Sequence, residues 1–529
     1  MTRQRLPIGI QDFARLRETN SYYVDKTPLI KDLIDRGDYW FLSRPRRFGK
    51  SLLLDTMQTL FEGRQSLFEG LAIYNHWDWS VTYPVVRLSF DAKYDQPEDI
   101  ERNFLTQLRV IERDAELSAS PCESASEYLL DLLNRLNRKT GQRVVILVDE
   151  YDKPILDALA DPQQARANQD YLRGIYGTIK SSAKYVRFVF VTGVSMFSKV
   201  SLFSDPNNLK DISLDPRFAS ICGYTDADID EVFAPELAGL DRDTIRTWYN
   251  GYNWRGDMRL YNPFDVLLLF DNREFRPYWF ETGSPRFIFD TLKDKSISLL
   301  DLEGRFATEA LVAKFEIEDI SAEALMFQTG YLTITEEANE GHRIAYRLDY
   351  PNREVKLSLN DQLLASLVPN NRFPLEEGKT LKDLLVANDF EGFANQFRAW
   401  VAGIPYLWRK DSLSRYEAWY AGLLYMCFRA IGVEVQSEAA SSRGRADMVV
   451  LTGGQVFFLE FKMVQSVAQI EPVLTAAIAQ IRNQGYAKKY QDRKDPIHCV
   501  AVACGGEDPK LLAVRVEPAR IASNDAHSI

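Results

Sequence analysis

Val144-Val-Ile-Leu-Val-Asp149-Glu150 is the stretch on which the fold turns. Its unbroken aliphatic run leaves no polar face, so it reads as a strand buried on both sides, as in the middle of a parallel sheet. It ends in two adjacent carboxylates. Upstream, Tyr39–Ser43 is a second short apolar strand, which runs into Arg44-Pro-Arg-Arg-Phe-Gly-Lys-Ser51 and then a helix from Lys50 to about Glu62. Gly49-Lys50-Ser51 fits the end of the phosphate-binding pattern G-x-x-x-x-G-K-[ST], with Arg44 in place of the first glycine. The chemistry explains the residue types. Gly49 lets the backbone approach a phosphate closely, and the N–H groups and dipole of the helix start attract its oxygens. Lys50 is expected to reach the β- and γ-phosphates, and Ser51 to bind Mg²⁺. Asp149 is expected to hold the same ion and Glu150 to polarise an attacking water. Arg46 and Arg47, inside the loop, are candidates for phosphate contact, with simple solvation as the alternative. Either signature alone is weak; each strengthens the other because both follow strands, in the right order.

Working outward, Pro84–Phe90 alternates as a strand, and Ile100–Glu116 and Ala125–Lys139 read as amphipathic helices. A helix over about Gln163–Ala183 precedes another buried strand, Val186–Thr192. Strands alternating with helices predict a parallel α/β sheet. From about Gly223 the character changes. Asp226 opens a helix with an acidic first turn, Trp248-Tyr-Asn-Gly-Tyr is aromatic and turn-rich, and Asn262-Pro starts a further helix. Ile344–Leu348 and Glu354–Leu359 are expected to pair as a hairpin turned by Pro351-Asn352. Val368–Lys379 is the best linker.

A second constellation lies near the C-terminal end. Asp447–Leu451 and Val456–Lys462 are predicted strands joined by Thr452-Gly453-Gly454, a hairpin turn. Glu460 and Lys462, two apart, share one face of their strand, with Phe461 behind. The hairpin brings Asp447 beside Glu460. Two converging carboxylates suit a hard cation such as Mg²⁺, which lowers the pKa of a bound water and polarises a phosphodiester. Lys462 is placed to orient that water or to stabilise developing charge. Glu-x-Lys on a strand is by itself most often a solvated face; the order strand, Gly-Gly turn, strand, helix (about Val467–Tyr486) and strand (Ile497–Cys504) argues for more.

Composition limits the alternatives. The 529 residues carry a net charge of −11, so attraction to nucleic acid must be local. Arg443, Arg445, Arg482, Lys488, Lys489, Arg493 and Lys494 supply such charges near the second constellation, or form a solvated face. Five cysteines without a C-x-x-C pair, and four histidines, argue against a disulfide framework or a zinc site. The N-terminal stretch has no apolar run of a signal sequence, and no segment has the ~18 apolar residues of a membrane span. A cytoplasmic location without membrane contact is the expectation.

Residues 5–285 resemble an AAA-ATPase-like family of bacterial proteins that carry a nuclease-type C-terminus. The resemblance rests on Leu6-Pro-Ile-Gly-Ile-Gln-Asp-Phe, Tyr23-Val-Asp-Lys-Thr, the Arg44–Ser51 loop, Leu147-Val-Asp-Glu-Tyr-Asp-Lys-Pro and Trp248-Tyr-Asn-Gly-Tyr. Arg44 departs from a standard P-loop but fits this family's own form. The resemblance implies a sheet in which the strand ending at Thr192 lies between the two signature strands, making Thr192 a candidate sensor of the γ-phosphate. Residues 413–505 resemble the PD-(D/E)XK nuclease-like domain paired with such ATPases. That resemblance adds Glu417 as a metal-side carboxylate, and Gln480 and Tyr486 as further site residues. The expected organisation is multidomain α/β: a P-loop ATPase with helices on both sheet faces (1–222), a helical lid and winged-helix-like middle (223–370), a helical linker (371–412), a PD-(D/E)XK nuclease fold (413–510) and a tail (511–529). The expected activity is ATP binding and hydrolysis that regulates or powers a Mg²⁺- or Mn²⁺-dependent nuclease, acting on DNA rather than RNA. Homo-oligomeric assembly is expected from this type of ATPase. A nucleotide-dependent switch or scaffold that binds nucleic acid or protein without cutting is the alternative.

Overall fold

The computed structural model describes residues 3–94, 96–159, 161–196, 209–279, 304–309, 321–340, 343–367, 374–403, 417–441, 444–483, 490, 495–505 and 511–519. The chain divides into two compact units, one of residues 1–288 with 306–355, the other of 289–305 with 356–529.

In the first unit, helices α1 (Phe13–Glu18) and α2 (Thr27–Arg36) precede strand β1 (Tyr39–Ser43) and helix α3 (Lys50–Phe61). Then come β2 (Val85–Ser89), α4 (Pro97–Asp114), α5 (Ala125–Thr140), β3 (Val144–Asp149), α6 (Pro162–Ser181), β4 (Val186–Gly193) and β5 (Lys210–Asp211). The strands form one sheet in the order β2-β3-β4-β1-β5, and every pairing is parallel. Strand β4 therefore lies between the two signature strands, as the resemblance implies. All six residues of β3 are buried, which is why no alternation is visible in its sequence. Helix α3 packs on β2 and β3, α4 on β2 and α5 on β3. The helix starts follow capping chemistry: Ser124 accepts from Glu127 N–H at α5, and Gln96 and Asp99 form a reciprocal box at α4.

The middle of the chain is helical: α7 (Asp226–Val232), α8 (Arg242–Tyr249) and α9 (Pro263–Asn272, capped by Asn262). Their apolar faces close over Tyr22 and Val24 of the N-terminal segment, forming one core with Phe233, Ile245, Tyr249, Tyr261 and Val266. A three-stranded sheet follows, in the order β6-β8-β7, from β6 (Arg305–Thr308), β7 (Thr333–Glu340) and β8 (Arg343–Asp349). Helix α10 (Ala322–Thr329) precedes β7. The expected hairpin of Ile344–Leu348 with Glu354–Leu359 does not form. Strand β8 pairs with β7 instead, and α11 (Arg353–Leu367) takes the second half. Pro351-Asn352 is a helix start: Asn352 Oδ1 accepts from Val355 N–H at 3.0 Å. The polar run Glu336-Glu337-Ala-Asn-Glu340 hid β7 from a reading based on apolar alternation.

The second unit holds α12 (Pro374–Val386), α13 (Phe390–Gly403), α14 (Glu417–Ala430), β9 (Glu434–Ser441), β10 (Gly444–Thr452), β11 (Gln455–Met463), α15 (Val467–Asn483), β12 (Ile497–Cys504) and β13 (Ala513–Pro518). The sheet order is β13-β12-β11-β10-β9. Only the β11–β12 pairing is parallel. Helix α15 covers β11 and β12 through Leu474, Ala477, Ile478 and Ile481. Residues 374–386 and 390–403 of the expected linker are helices, while 368–373 and the polar tail from 520 lie outside the described residues. The stretch from 511, expected as tail, begins with β13, an edge strand paired with β12. Its Val514 and Val516 alternate with Arg515 and Glu517, a pattern easily passed over beside a polar terminus.

One buried pair in the first unit is titratable. Asp265 of α9 and Glu354 of α11 are both fully buried and within hydrogen-bond reach of each other. Glu354 also accepts from Trp279 N–H at 2.7 Å. Two desolvated carboxylates so close cannot both ionise cheaply, so burial first, and Glu354 second, hold Asp265 well above the usual carboxylate range. A raised native-state pKa means that stability is fully present at acid pH and is lost as pH rises through the raised value. The contribution of this pair to the melting temperature is therefore expected to be full below the ordinary carboxylate range and to fall as pH rises from there to the raised value. Asp265→Asn, which keeps a donor for Glu354 but cannot titrate, flattens that fall in thermal melts taken across pH.

Candidate functional site

The phosphate loop is set by three residues with different tasks. Gly49 has φ +93° at the start of α3, with nothing within 4 Å of a built Cβ. Backbone conformation, not crowding, therefore demands glycine there. Phe48 is buried and held edge-on by Tyr252 at 4.8 Å and Trp254 at 5.1 Å. Arg44, standing where the pattern has glycine, is wholly buried. Its guanidinium donates to Ser43 O at 2.8 Å, Ser213 O at 2.9 Å and Ala219 O at 3.2 Å. It also lies over the Trp254 ring at 4.2 Å. Burial pushes its pKa down to about 10. Arg44 is thus an internal clamp and not a phosphate ligand.

Lys50 donates to Arg44 O at 2.8 Å and Pro45 O at 2.9 Å, so its ammonium is held inside the loop. Burial lowers its pKa, while Asp149, Glu150 and Asp152 oppose the shift. Beside it opens a cavity of about 550 Å³, a size that suits a nucleotide-sized ligand. Arg46, Arg47, Gly49, Lys50, Ser51 and Glu150 all line it. The two arginines are exposed, and Arg47 reaches over Phe264 at 4.8 Å from the ring centre. An apolar wall of Ile10, Tyr224, Pro263, Phe264 and Leu267 faces the charged loop, and Val194, Trp279, Thr329 and Tyr331 are also part of the lining. Sequence reasoning missed these residues because their approach to the loop is tertiary.

Asp149 and Thr192 do not line the cavity; both are buried. Thr192 Oγ1 donates to Asp149 Oδ1 at 2.8 Å, so the hydroxyl orients the carboxylate. Glu150 has φ +52°, a conformation that side-chain-bearing residues rarely adopt. Burial raises its pKa; Lys50 works against that and Asp149 adds to it. Asp152, quoted within the family stretch but given no role there, is 1 % exposed and accepts from Val194 N–H at 3.1 Å and from the backbone and hydroxyl of Ser195. It ties the turn after β3 to the turn after β4.

In the second unit, Gly453 and Gly454 both have positive φ, as a tight hairpin turn requires. The turn sets the β10–β11 register at Met448–Leu459. Asp447 and Glu460 are the residues next to that pair along β10 and β11. Glu460 is 1 % exposed. Its Oε1 accepts from Lys462 Nζ at 2.9 Å and from Gln480 Nε2 of α15. Phe461 is fully buried on the opposite face. Glu417, opening α14, accepts from Met463 N–H at 3.1 Å, just past Lys462. Glu417, Glu460, Lys462 and Gln480 thus gather around the end of β11. Oxygen donors of this kind suit Mg²⁺ or Mn²⁺. Among the described residues no three His, Cys, Asp or Glu side chains stand close enough to hold a metal. The side chain of Asp447 lies outside them, as do Arg443, Tyr486, Lys488, Lys489, Arg493 and Lys494 and the side chain of Arg445. Arg482 is paired with Glu517 of β13 at 2.7 Å, so its charge is already answered.

Two outcomes follow for the first unit. Arg44→Gly, which restores the common glycine, is expected to destabilise the protein by roughly 3–5 kcal/mol, since it strips the charged partner from buried carbonyls. A thermal melt checks this; an unchanged melting temperature would refute the clamp. Glu150→Gln is expected to raise the melting temperature at neutral pH, because it removes a carboxylate that is costly to bury. The gain should vanish in acid, where the native Glu150 is already neutral.

The predicted AAA-ATPase family matches residues 7–203, and the PD-(D/E)XK nuclease superfamily matches residues 415–512. Over 520 residues the chain is 48% identical to a protein of Azotobacter chroococcum mcd 1 named "Uncharacterized protein in vnfD 5'region", covering 98% of this chain and 99% of that one. A solved structure of the Aeropyrum pernix ORC1 protein in complex with DNA aligns over 65% of this chain and 93% of its own, at 14% identity and a TM-score of 0.26. A fit that loose carries no argument. No helix among the described residues is long and apolar enough to cross a membrane. With a relative this close along nearly its whole length, the chain belongs to the predicted AAA-ATPase family and carries a domain of the PD-(D/E)XK nuclease superfamily at its C-terminal end.

Proposed function

We propose that the protein binds and hydrolyses ATP and that this regulates or powers metal-dependent cleavage of DNA phosphodiester bonds in its second unit. The observation that carries the reading is the buried Glu460 carboxylate, held by Lys462 and Gln480 on β11, the strand paired with the one that carries Asp447. A carboxylate costs free energy to bury, and a pure folding role would be served by an apolar residue. Asp447, Glu460 and Glu417 would hold Mg²⁺ or Mn²⁺. The ion, when bound, supplies a more acidic water and neutralises phosphate charge. Lys462 keeps a positive charge at the same edge, suited to the attacking water or the charge that develops on phosphate.

In the first unit, Gly49, Lys50 and Ser51 would hold the phosphates and the magnesium ion, with Arg46 and Arg47 at the open side. Asp149, oriented by Thr192, would bind that ion through water. Glu150 is the base that polarises the attacking water, and the burial that raises its pKa brings it closer to that task. The apolar wall at Phe264 suits an adenine ring. We place the nucleotide-binding part at 1–222, the lid and winged-helix-like part at 223–370, the helical linker at 371–412 and the nuclease part at 413–510. A bacterial cytoplasm is the setting, DNA rather than RNA the substrate, and a homo-oligomer the working form.

The test is cleavage of plasmid and single-stranded DNA by the whole chain with Mg²⁺ or Mn²⁺, with and without ATP. Lys462→Ala is expected to lose cleavage by about a hundredfold or more, and Lys50→Ala to lose ATP hydrolysis and any effect of ATP on cleavage. Metal-dependent cutting that is identical with and without ATP, and in Lys50→Ala, would separate the two activities. ATP hydrolysis with no cutting under any condition would favour a nucleotide-dependent switch or scaffold.

A further inference from the structure

Three consecutive backbone N–H groups follow β4, those of Val194, Ser195 and Met196, and each is taken by a side-chain oxygen from elsewhere. The Asp152 carboxylate accepts the first two. The third goes to Gln328 Oε1 of α10, at 2.7 Å, from 132 positions further along the chain. Ser195 is fully buried, Gln328 is 2% exposed and Met196 is 5% exposed. Water is therefore a poor substitute for Gln328, and an amide left without a partner there is costly.

The residues after Gln328 also press on the phosphate loop. Gly330 has φ +91°, and a Cβ built on it would stand 2.7 Å from Pro45 Cγ. Thr329 and Tyr331 line the nucleotide cavity, and the Tyr331 ring packs on Trp279 at 5.1 Å. Thr333 Oγ1 accepts from Asn253 N–H at 2.7 Å, and Asn253 lies between the two aromatic residues that hold Phe48. One short segment, 328–333, thus touches the β4 tip, the loop, the cavity and the aromatic clamp.

We propose that Gln328 is a positioning residue for the nucleotide reaction: its amide oxygen fixes the tip of β4, so that Thr192 and Asp149 keep their places only while α10 is docked on the phosphate loop. The inference rests on the nucleotide reading above and adds to it a residue outside the part matched by the AAA-ATPase family. The link runs through short steps. Met196 and Val194 are two residues apart, Val194 lines the cavity, and Thr192, two further back, bonds Asp149. The Gln328 contact thereby becomes a condition for hydrolysis more than for binding, because Lys50, Gly49 and the apolar wall do not depend on it.

The experiment compares steady-state ATP hydrolysis and binding of a fluorescent ATP analogue by the wild-type chain, Gln328→Leu and Gln328→Glu. Gln328→Leu removes the acceptor and is expected to lower kcat roughly tenfold or more while leaving KM and analogue affinity within about threefold. Gln328→Glu keeps an oxygen at that position and is expected to restore most of kcat, which a purely steric or packing role would not produce. Should Gln328→Leu fail to fold, Gln328→Asn, whose oxygen falls one methylene short, takes its place with the same expectation. Wild-type kcat in the variant without the acceptor, a parallel loss of binding and turnover, or no recovery in Gln328→Glu each overturns the role given to Gln328. A wild-type chain that neither binds nor hydrolyses ATP overturns the nucleotide reading itself.

Discussion

A buried guanidinium organises the half of this protein that matches the predicted AAA-ATPase family. Arg44 occupies the first position of the phosphate loop, where most such loops need a glycine to turn. Here the turn is made by spreading the charge over backbone carbonyls of Ser43, Ser213 and Ala219 and over the face of Trp254. Hydrogen bonds from a buried charge are stronger than neutral ones, and removing one partner strands the rest. The loop, the chain after β5 and the aromatic segment near Trp254 are consequently one piece. Phe48 repeats the logic in apolar form, and Lys50 closes the loop on itself through Arg44 O and Pro45 O.

The two sites treat charge in contrasting ways. Around the phosphate loop the acids Asp149, Glu150 and Asp152 share their surroundings with Lys50, and each is oriented by a specific partner: Thr192 for Asp149, backbone N–H groups for Asp152, a left-handed backbone for Glu150. On β11 a buried carboxylate, Glu460, collects two donors on one oxygen. At the phosphate loop neutral donors hold the carboxylates and carbonyls hold Lys50, whereas on β11 a cation, Lys462, holds the carboxylate.

Much of this was legible in the sequence, where local pattern and tertiary structure agree. The buried strands β1, β3 and β4, the loop before α3, the Gly-Gly hairpin and the Glu460–Lys462 pair all follow from residue type and spacing. What was hidden came in three kinds. Strand β7 carries too many acids to show a period of two, and Pro351-Asn352 serves a helix start as readily as a turn, so the hairpin was drawn on the wrong side of β8. Strand β13 is an edge strand with no fully buried residue, and edge strands leave a faint hydrophobic mark. The tasks of Arg44, Asp152 and Gln328 depend on partners up to 175 positions away, as for Arg44 and Ala219, which no local window contains. The same holds for the cavity wall, where Tyr224, Phe264, Trp279 and Tyr331 meet Ile10 across most of the first unit.

That breadth bears on how the chain is made. The cavity needs Pro7 and Gln11 at one end and Tyr331 at the other, so during synthesis it stays incomplete until Tyr331 has left the ribosome. Until then the loop's aromatic anchor has no slot, since Tyr252 and Trp254 arrive some 200 residues after Phe48. An early fragment ending near the edge of the matched ATPase region would hold four of the five strands of the parallel sheet beside an unsupported, sticky loop, the sort of intermediate that aggregates or recruits chaperones. The cavity wall is therefore a late product of synthesis, complete only once the middle helices and α10 are in place.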